Sequence, residues 1–313
     1  IHWGVRYRYP AHASYSASLA GVRRVIPAML RLFEEFEVAA TWATVGFLFA
    51  RSRAELRQFS PVVRPSYLDP TLSPYGDQIG DGEDDDALHY APSLIASIRD
   101  APRQEIGTHT FSHYYCQEPG QDREAFRADL ASAIAIARVH GIRLRSIVFP
   151  RNQHNAAYDD VLLSAGIRCF RGNTAGWMYA ATLLKDGKGP LMRGGRLLNA
   201  YVPLSGLRTS QWQSLRQPNG LCNLPASLFL RPYSPRLRQL ESLRLARIVG
   251  LIRRAAVSRE IVHLYCHPHN FGGHLQENMA ILRAVLATVA RYRESHGMQS
   301  LSMAGAAELA SAS

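Results

Sequence analysis

Apolar residues recur at helical spacing from Leu19 to Phe36 and give way at once to a strand-like run, Val38–Val45. That exchange of periods repeats along the chain. Helical stretches follow at Ser93–Arg99, about Asp122 to His140, Ala156–Ala165, Arg236–Ala256 and Leu275–Glu294. Strand-like runs alternate with them: one leading into Gly107, then Arg145–Phe149, Ile167–Phe170, Leu197–Val202, Ile261–Cys266 and Gln299–Ser302, before an Ala-rich terminal helix. A parallel crossover needs a dozen or more residues, usually a helix, so this spacing predicts parallel βαβ units. Roughly six or seven such units predict an α/β fold closed as a single (β/α) barrel rather than an open sheet. One barrel over 1–313 then accounts for the chain, with loop excursions at about 60–92 and 203–235.

Composition narrows the functional classes. At 47% hydrophobic and 19% charged residues the chain is not a disordered tail. No apolar run approaches the ~20 residues a membrane span requires. The net charge of +11 comes from Arg scattered over helical faces, such as Arg23, Arg24, Arg31, Arg244, Arg247 and Arg253. Basic runs interleaved with aromatics are absent, so nucleic acid is not an expected partner. The cysteines Cys116, Cys169, Cys222 and Cys266 show no CxxC pairing and read as buried thiols of a reducing compartment, cytoplasmic rather than periplasmic.

The densest polar cluster, Glu105-Ile106-Gly107-Thr108-His109-Thr110-Phe111-Ser112-His113, follows a strand. Two imidazoles at this spacing can share a metal, and a barrel strand end is where active-site groups gather. A second His pair lies in His263-Leu264-Tyr265-Cys266-His267-Pro268. Strand alternation puts His263, Tyr265 and His267 on one face, and Pro268 leaves His267 at the strand's C-terminal edge, placed for general acid work. His263 reads as a structural hydrogen-bonding residue. In Val148-Phe149-Pro150-Arg151-Asn152-Gln153, Arg151 has the fork that orients a carboxylate. Phe170-Arg171-Gly172-Asn173, with Trp177 and Tyr179 beyond, has the makings of a sugar-sized pocket. The acidic run Gly82-Glu83-Asp84-Asp85-Asp86 reads as a solvated loop.

Together these segments resemble the polysaccharide deacetylases, the NodB-homology carbohydrate esterases. The His-Ser/Thr-x-x-His element of that family is matched in full by His109-Thr110-Phe111-Ser112-His113; the rest is approximate. Tyr265-Cys266-His267 stands for the Leu-x-His-type motif, Phe149-Pro150-Arg151 for an Arg/Pro segment in altered order, and Asn173 with Trp177 for an Asp-x-x-x-Trp-like segment. The resemblance implies an irregular seven-stranded barrel and a bound divalent metal, zinc by default, held by His109 and His113. It further implies His267 and Arg151 as catalytic residues, with Asn173, Trp177 and Pro150 at the substrate. The expected substrate is an N-acetyl or other N-acyl sugar of a bacterial surface polysaccharide, lipopolysaccharide or precursor; the oligomeric state is left open. Ile1-His2-Trp3-Gly4-Val5-Arg6 resembles the stretch just after the family's acidic first-strand segment, which supplies the catalytic base and third ligand. That aspartate is expected a few residues before Ile1, on a strand cut from the sequence. The alternative is a catalytically inactive glycan-binding relative that lacks it.

Overall fold

The computed structural model describes residues 1–6, 16–173, 195, 201 and 206–312. Five strands form one sheet: β1 (Ala40–Thr44), β2 (Gln104–Thr108), β3 (Ser146–Ile147), β4 (Cys169–Phe170) and β5 (Cys222–Asn223). Two more, β6 (Leu228–Phe229) and β7 (Leu264–Tyr265), pair with each other, and every one of these pairings is parallel. Each strand of the larger sheet lies beside the next in the chain. A doubly wound sheet reverses its strand order partway; this wall does not, which is the order a barrel requires.

The helices are α1 (Ser16–Ala20), α2 (Val22–Glu35), α3 (Arg53–Phe59), α4 (Pro92–Asp100), α5 (Arg123–Val139), α6 (Asp159–Ser164), α7 (Glu241–Ser258), α8 (Leu275–His296) and α9 (Met303–Ala312). Their boundaries follow local chemistry. Asp122 caps α5 by accepting the Ala125 N–H at 2.8 Å, and Gly297 ends α8 in the left-handed conformation at φ 66°. Val22, Val25, Ile26, Met29 and Phe33 form the buried stripe of α2. No helix among the described residues is long and apolar enough to cross a membrane, and all four cysteines are free.

Several expectations are corrected. Residues 299–302 make no strand; instead Ser300 Oγ accepts the Ala39 N–H at 3.0 Å, so a side chain takes the place of a ladder. The Gly82–Asp86 run lies at the surface, with Asp84 and Asp85 exposed, and is also tied down by hydrogen bonds. Asp85 and Asp86 accept the backbone N–H groups of Gly80, Asp81 and Gly82 at 2.8 Å, and Glu83 pairs with Arg23 at 2.5 Å. The stretch 203–235 carries β5 and β6. Ser52 starts α3 by accepting the Glu55 N–H. Apart from Tyr201, the strand expected at Leu197–Val202 lies outside the described residues.

Candidate active site

The candidate site is built from the C-terminal ends of β2, β3, β4 and β7. His109 directly follows β2, and its N–H donates to the Thr44 carbonyl at 2.9 Å, holding it in line with the sheet. Its Nδ1 lies 2.6 Å from the Val148 carbonyl beyond β3. A carbonyl can only accept, so Nδ1 carries the proton and Nε2 keeps the lone pair.

The chain then turns through a loop whose backbone is costly. Thr110 (φ 65°) and His113 (φ 59°) are left-handed, as are Arg151 (φ 54°) and Asn152 (φ 54°) in the loop after β3. Such conformations persist in non-glycine residues only where the surroundings over-determine them. Here Asp129, fully buried on α5, accepts the N–H groups of Phe111 (2.7 Å) and Ser112 (3.0 Å) and the Ser112 hydroxyl. Thr110 Oγ1 accepts the Tyr114 N–H at 2.6 Å. The outcome is that the His109 and His113 rings meet edge to face, with centroids 4.8 Å apart.

Both rings are electrically neutral. Burial pushes His109 down to about 3 and holds His113 well below the ordinary histidine range, and nearby cationic groups add to the effect. His113 Nδ1 is buried with no hydrogen-bond partner. Space is kept beside its other nitrogen, because a Cβ on Gly4 would come within 3.3 Å of Nε2. The segment bearing Gly4 is anchored next door, where Trp3 Nε1 donates to the His89 carbonyl at 2.9 Å. A neutral imidazole pair with one orphaned buried nitrogen fits a divalent metal, since ligation requires unprotonated nitrogens. No group of three His, Cys, Asp or Glu suited to a metal occurs among the described residues.

His267 follows β7 and lines the same cavity of about 1110 Å³ as His109, His113 and Arg171. Burial, then the Arg171 charge, pushes it down to about 4. Its ring stacks on His269 at 5.4 Å. His263 has a structural bond, its Nδ1 3.1 Å from the Leu224 carbonyl. Arg151 pairs with Glu118 at 2.7 Å and stands 4.2 Å over the Tyr115 ring. Pro150 is buried beneath that turn, while Asn173 is exposed with its Nδ2 3.5 Å from the Asn152 carbonyl. Trp177 lies outside the described residues.

Two residues escape the sequence reading. Asp129 falls on the apolar face of α5 with Phe126, Leu130 and Ala133, and an acid on a buried stripe was the available signal. Arg171 stacks on Tyr265 at 4.3 Å and donates from Nη2 to Asn152 Oδ1 at 2.7 Å. Its segment is visible in the sequence, but nothing there says which member turns inward.

The site thus gathers His109, His113, His267 and Arg171 around one cavity at the C-terminal ends of parallel strands. Residues 20–170, just under half of the chain, match the family model described as polysaccharide deacetylase, a segment that spans β1 to β4 and holds both His109 and His113. The chemistry of that class is hydrolysis of a sugar N-acetyl amide, a carbon–nitrogen bond other than a peptide bond. A putative polysaccharide deacetylase from Mycobacterium smegmatis superposes with a TM-score of 0.57 at 16% identity, over 99% of this chain and 85% of that one. That likeness shows the (β/α) barrel fold. A family 4 carbohydrate esterase from Streptomyces lividans, in complex with acetate, gives 0.39 at 10% identity over 85% and 82% of the two chains, too low to bear on the fold. No curated protein matches the sequence. His267 and Arg171 lie beyond the matched segment.

Proposed function

We propose that this chain is a metal-dependent deacetylase that removes an N-acetyl or related N-acyl group from a sugar of a bacterial surface polysaccharide, lipopolysaccharide or precursor. The observation that carries the reading is the neutral His109–His113 pair, one ring fixed by Val148 and the other with an orphaned buried nitrogen. Those two residues would hold the metal, zinc being the default for such donors. The reading requires a third donor, a carboxylate that would also act as base. When bound, the metal supplies a polarised acyl carbonyl and an acidified water.

The chain's own groups do the rest. His267 begins the cycle uncharged; an imidazole with a pKa near 4 is a strong acid once protonated, so it holds the proton only in transit to the departing amine nitrogen. Arg151, stacked on Tyr115 and paired with Glu118, stiffens the turn beside His113. Pro150 shapes that turn, and Asn173 and Trp177 supply the sugar contacts.

Metal content and acetate release from a panel of acetylated oligosaccharides test the reading together. The wild-type protein is expected to carry about one divalent ion per chain and release acetate; His109→Ala should lose both. Unchanged metal and turnover in His109→Ala would refute the assignment. Glycan binding without metal and without acetate release would select the inactive glycan-binding relative instead.

A further inference from the structure

The sharpest unexplained feature of the cavity is the Arg171 guanidinium. It cannot lose its charge at any ordinary pH, even though burial weakens its hold on the proton. Its Nε is enclosed without a hydrogen-bond partner, while the side chain as a whole keeps some exposure to the cavity. Tyr265 covers one face at 4.3 Å and Asn152 takes one Nη2 hydrogen. The groups that surround it otherwise are the neutral rings of His109, His263 and His267, whose protonation its charge opposes. Among the described residues no Asp or Glu forms an ion pair with it. Arg151 and Arg6, the other guanidinium groups near His113, already hold Glu118 and Asp77.

A largely enclosed cation with no counter-ion among the described residues is expensive, and a planar fork fixed by a ring on one side and an amide at one corner is ready for a two-oxygen anion. We infer that Arg171 makes the inner wall of this cavity a carboxylate-binding subsite, separate from the His109–His113 pair. The carboxylate is either the small acid released by deacylation or an acid group on the sugar itself. Only the choice between those sources leans on the deacetylase reading.

The test is calorimetric titration of acetate and of glucuronate into the full chain after metal is stripped with chelator, so neither metal nor turnover enters. Wild-type protein and Arg283→Met, which removes a surface guanidinium paired with Glu35, are expected to bind carboxylate alike; Arg171→Met should bind at least tenfold more weakly, the scale of one lost charged hydrogen bond. Equal binding of both ligands identifies a small-acid subsite, and binding of glucuronate alone identifies an acidic-sugar subsite. Arg171→Met binding within twofold of wild type, or no carboxylate binding by wild type, overturns the inference. Should Arg171→Met fold poorly, Arg171→Lys keeps the charge without the fork. The rise in melting temperature that saturating carboxylate gives the wild type should shrink in it, and an undiminished rise overturns the inference equally. Loss of deacetylation with intact carboxylate binding would sink the deacetylase reading and leave the subsite standing.

Discussion

Asp129 shows how much one buried carboxylate can carry at the scale of a residue. It satisfies two backbone donors and one hydroxyl in the loop that turns His113 toward His109. Burial raises its carboxyl to about 6, and those hydrogen bonds pull the other way. In Asp129→Asn the shape is kept, but an amide N–H must face a backbone N–H, leaving a buried donor unsatisfied at a cost of about 1–3 kcal/mol. The variant is expected to melt lower and to bind zinc at least tenfold more weakly, measured by competition with a chromogenic chelator; wild-type zinc affinity would show that the clamp does not govern the site. The histidines were legible because their spacing repeats a known ligand geometry. Asp129 and Arg171 were not, because their roles depend on what lies across the fold from them rather than on neighbours in the chain.

At the scale of elements, Glu105 joins four of them. Its carboxylate accepts the hydroxyls of Thr41 on β1 and Ser146 on β3, each at 2.7 Å, and the Ala304 N–H at the start of α9 at 3.0 Å. A negative group there also suits the positive end of that helix. Glu105→Ala should lower unfolding free energy by about 2–4 kcal/mol, as expected for a broken multi-partner network. Because Glu105 sits at the end of β2 away from His109, zinc binding should stay at the wild-type value, and a parallel loss of both would contradict this separation. The strands β1 and β2 were legible as continuous apolar or strand-like runs. β5 and β6 were not: each is two residues long, in Pro- and Gly-rich surroundings, and two residues have no period. The strand expected at Gln299–Ser302 failed for a related reason, since Ser300 offers its hydroxyl where a ladder would use the backbone.

At the scale of the whole molecule, the cluster of neutral histidines lining the cavity makes stability depend on acidity. Burial puts His263 and His267 at about 4 and His269 at about 3, against 6.5 in a free side chain. Between those values the unfolded chain takes up protons that the folded one refuses. Stability from these groups is therefore complete above pH 6.5 and is lost as pH falls toward 4. Asp129 acts in the opposite sense between 3.8 and about 6, one group against three. Denaturant midpoints of metal-free protein should fall from pH 7 to pH 4.5; a flat or rising profile toward acid would contradict the assignment. The strand order has a consequence for how the molecule is made. Each of β2 to β5 pairs with the strand just before it in the chain, so the wall can lengthen strand by strand as the chain leaves the ribosome. Its foot is different. Ser300, Met303 and Ala304 bind Ala39, Thr41 and Glu105, so β1 and β2, already paired with each other, gain these bonds only after residue 304 has emerged. The fold is written from one end and latched from the other.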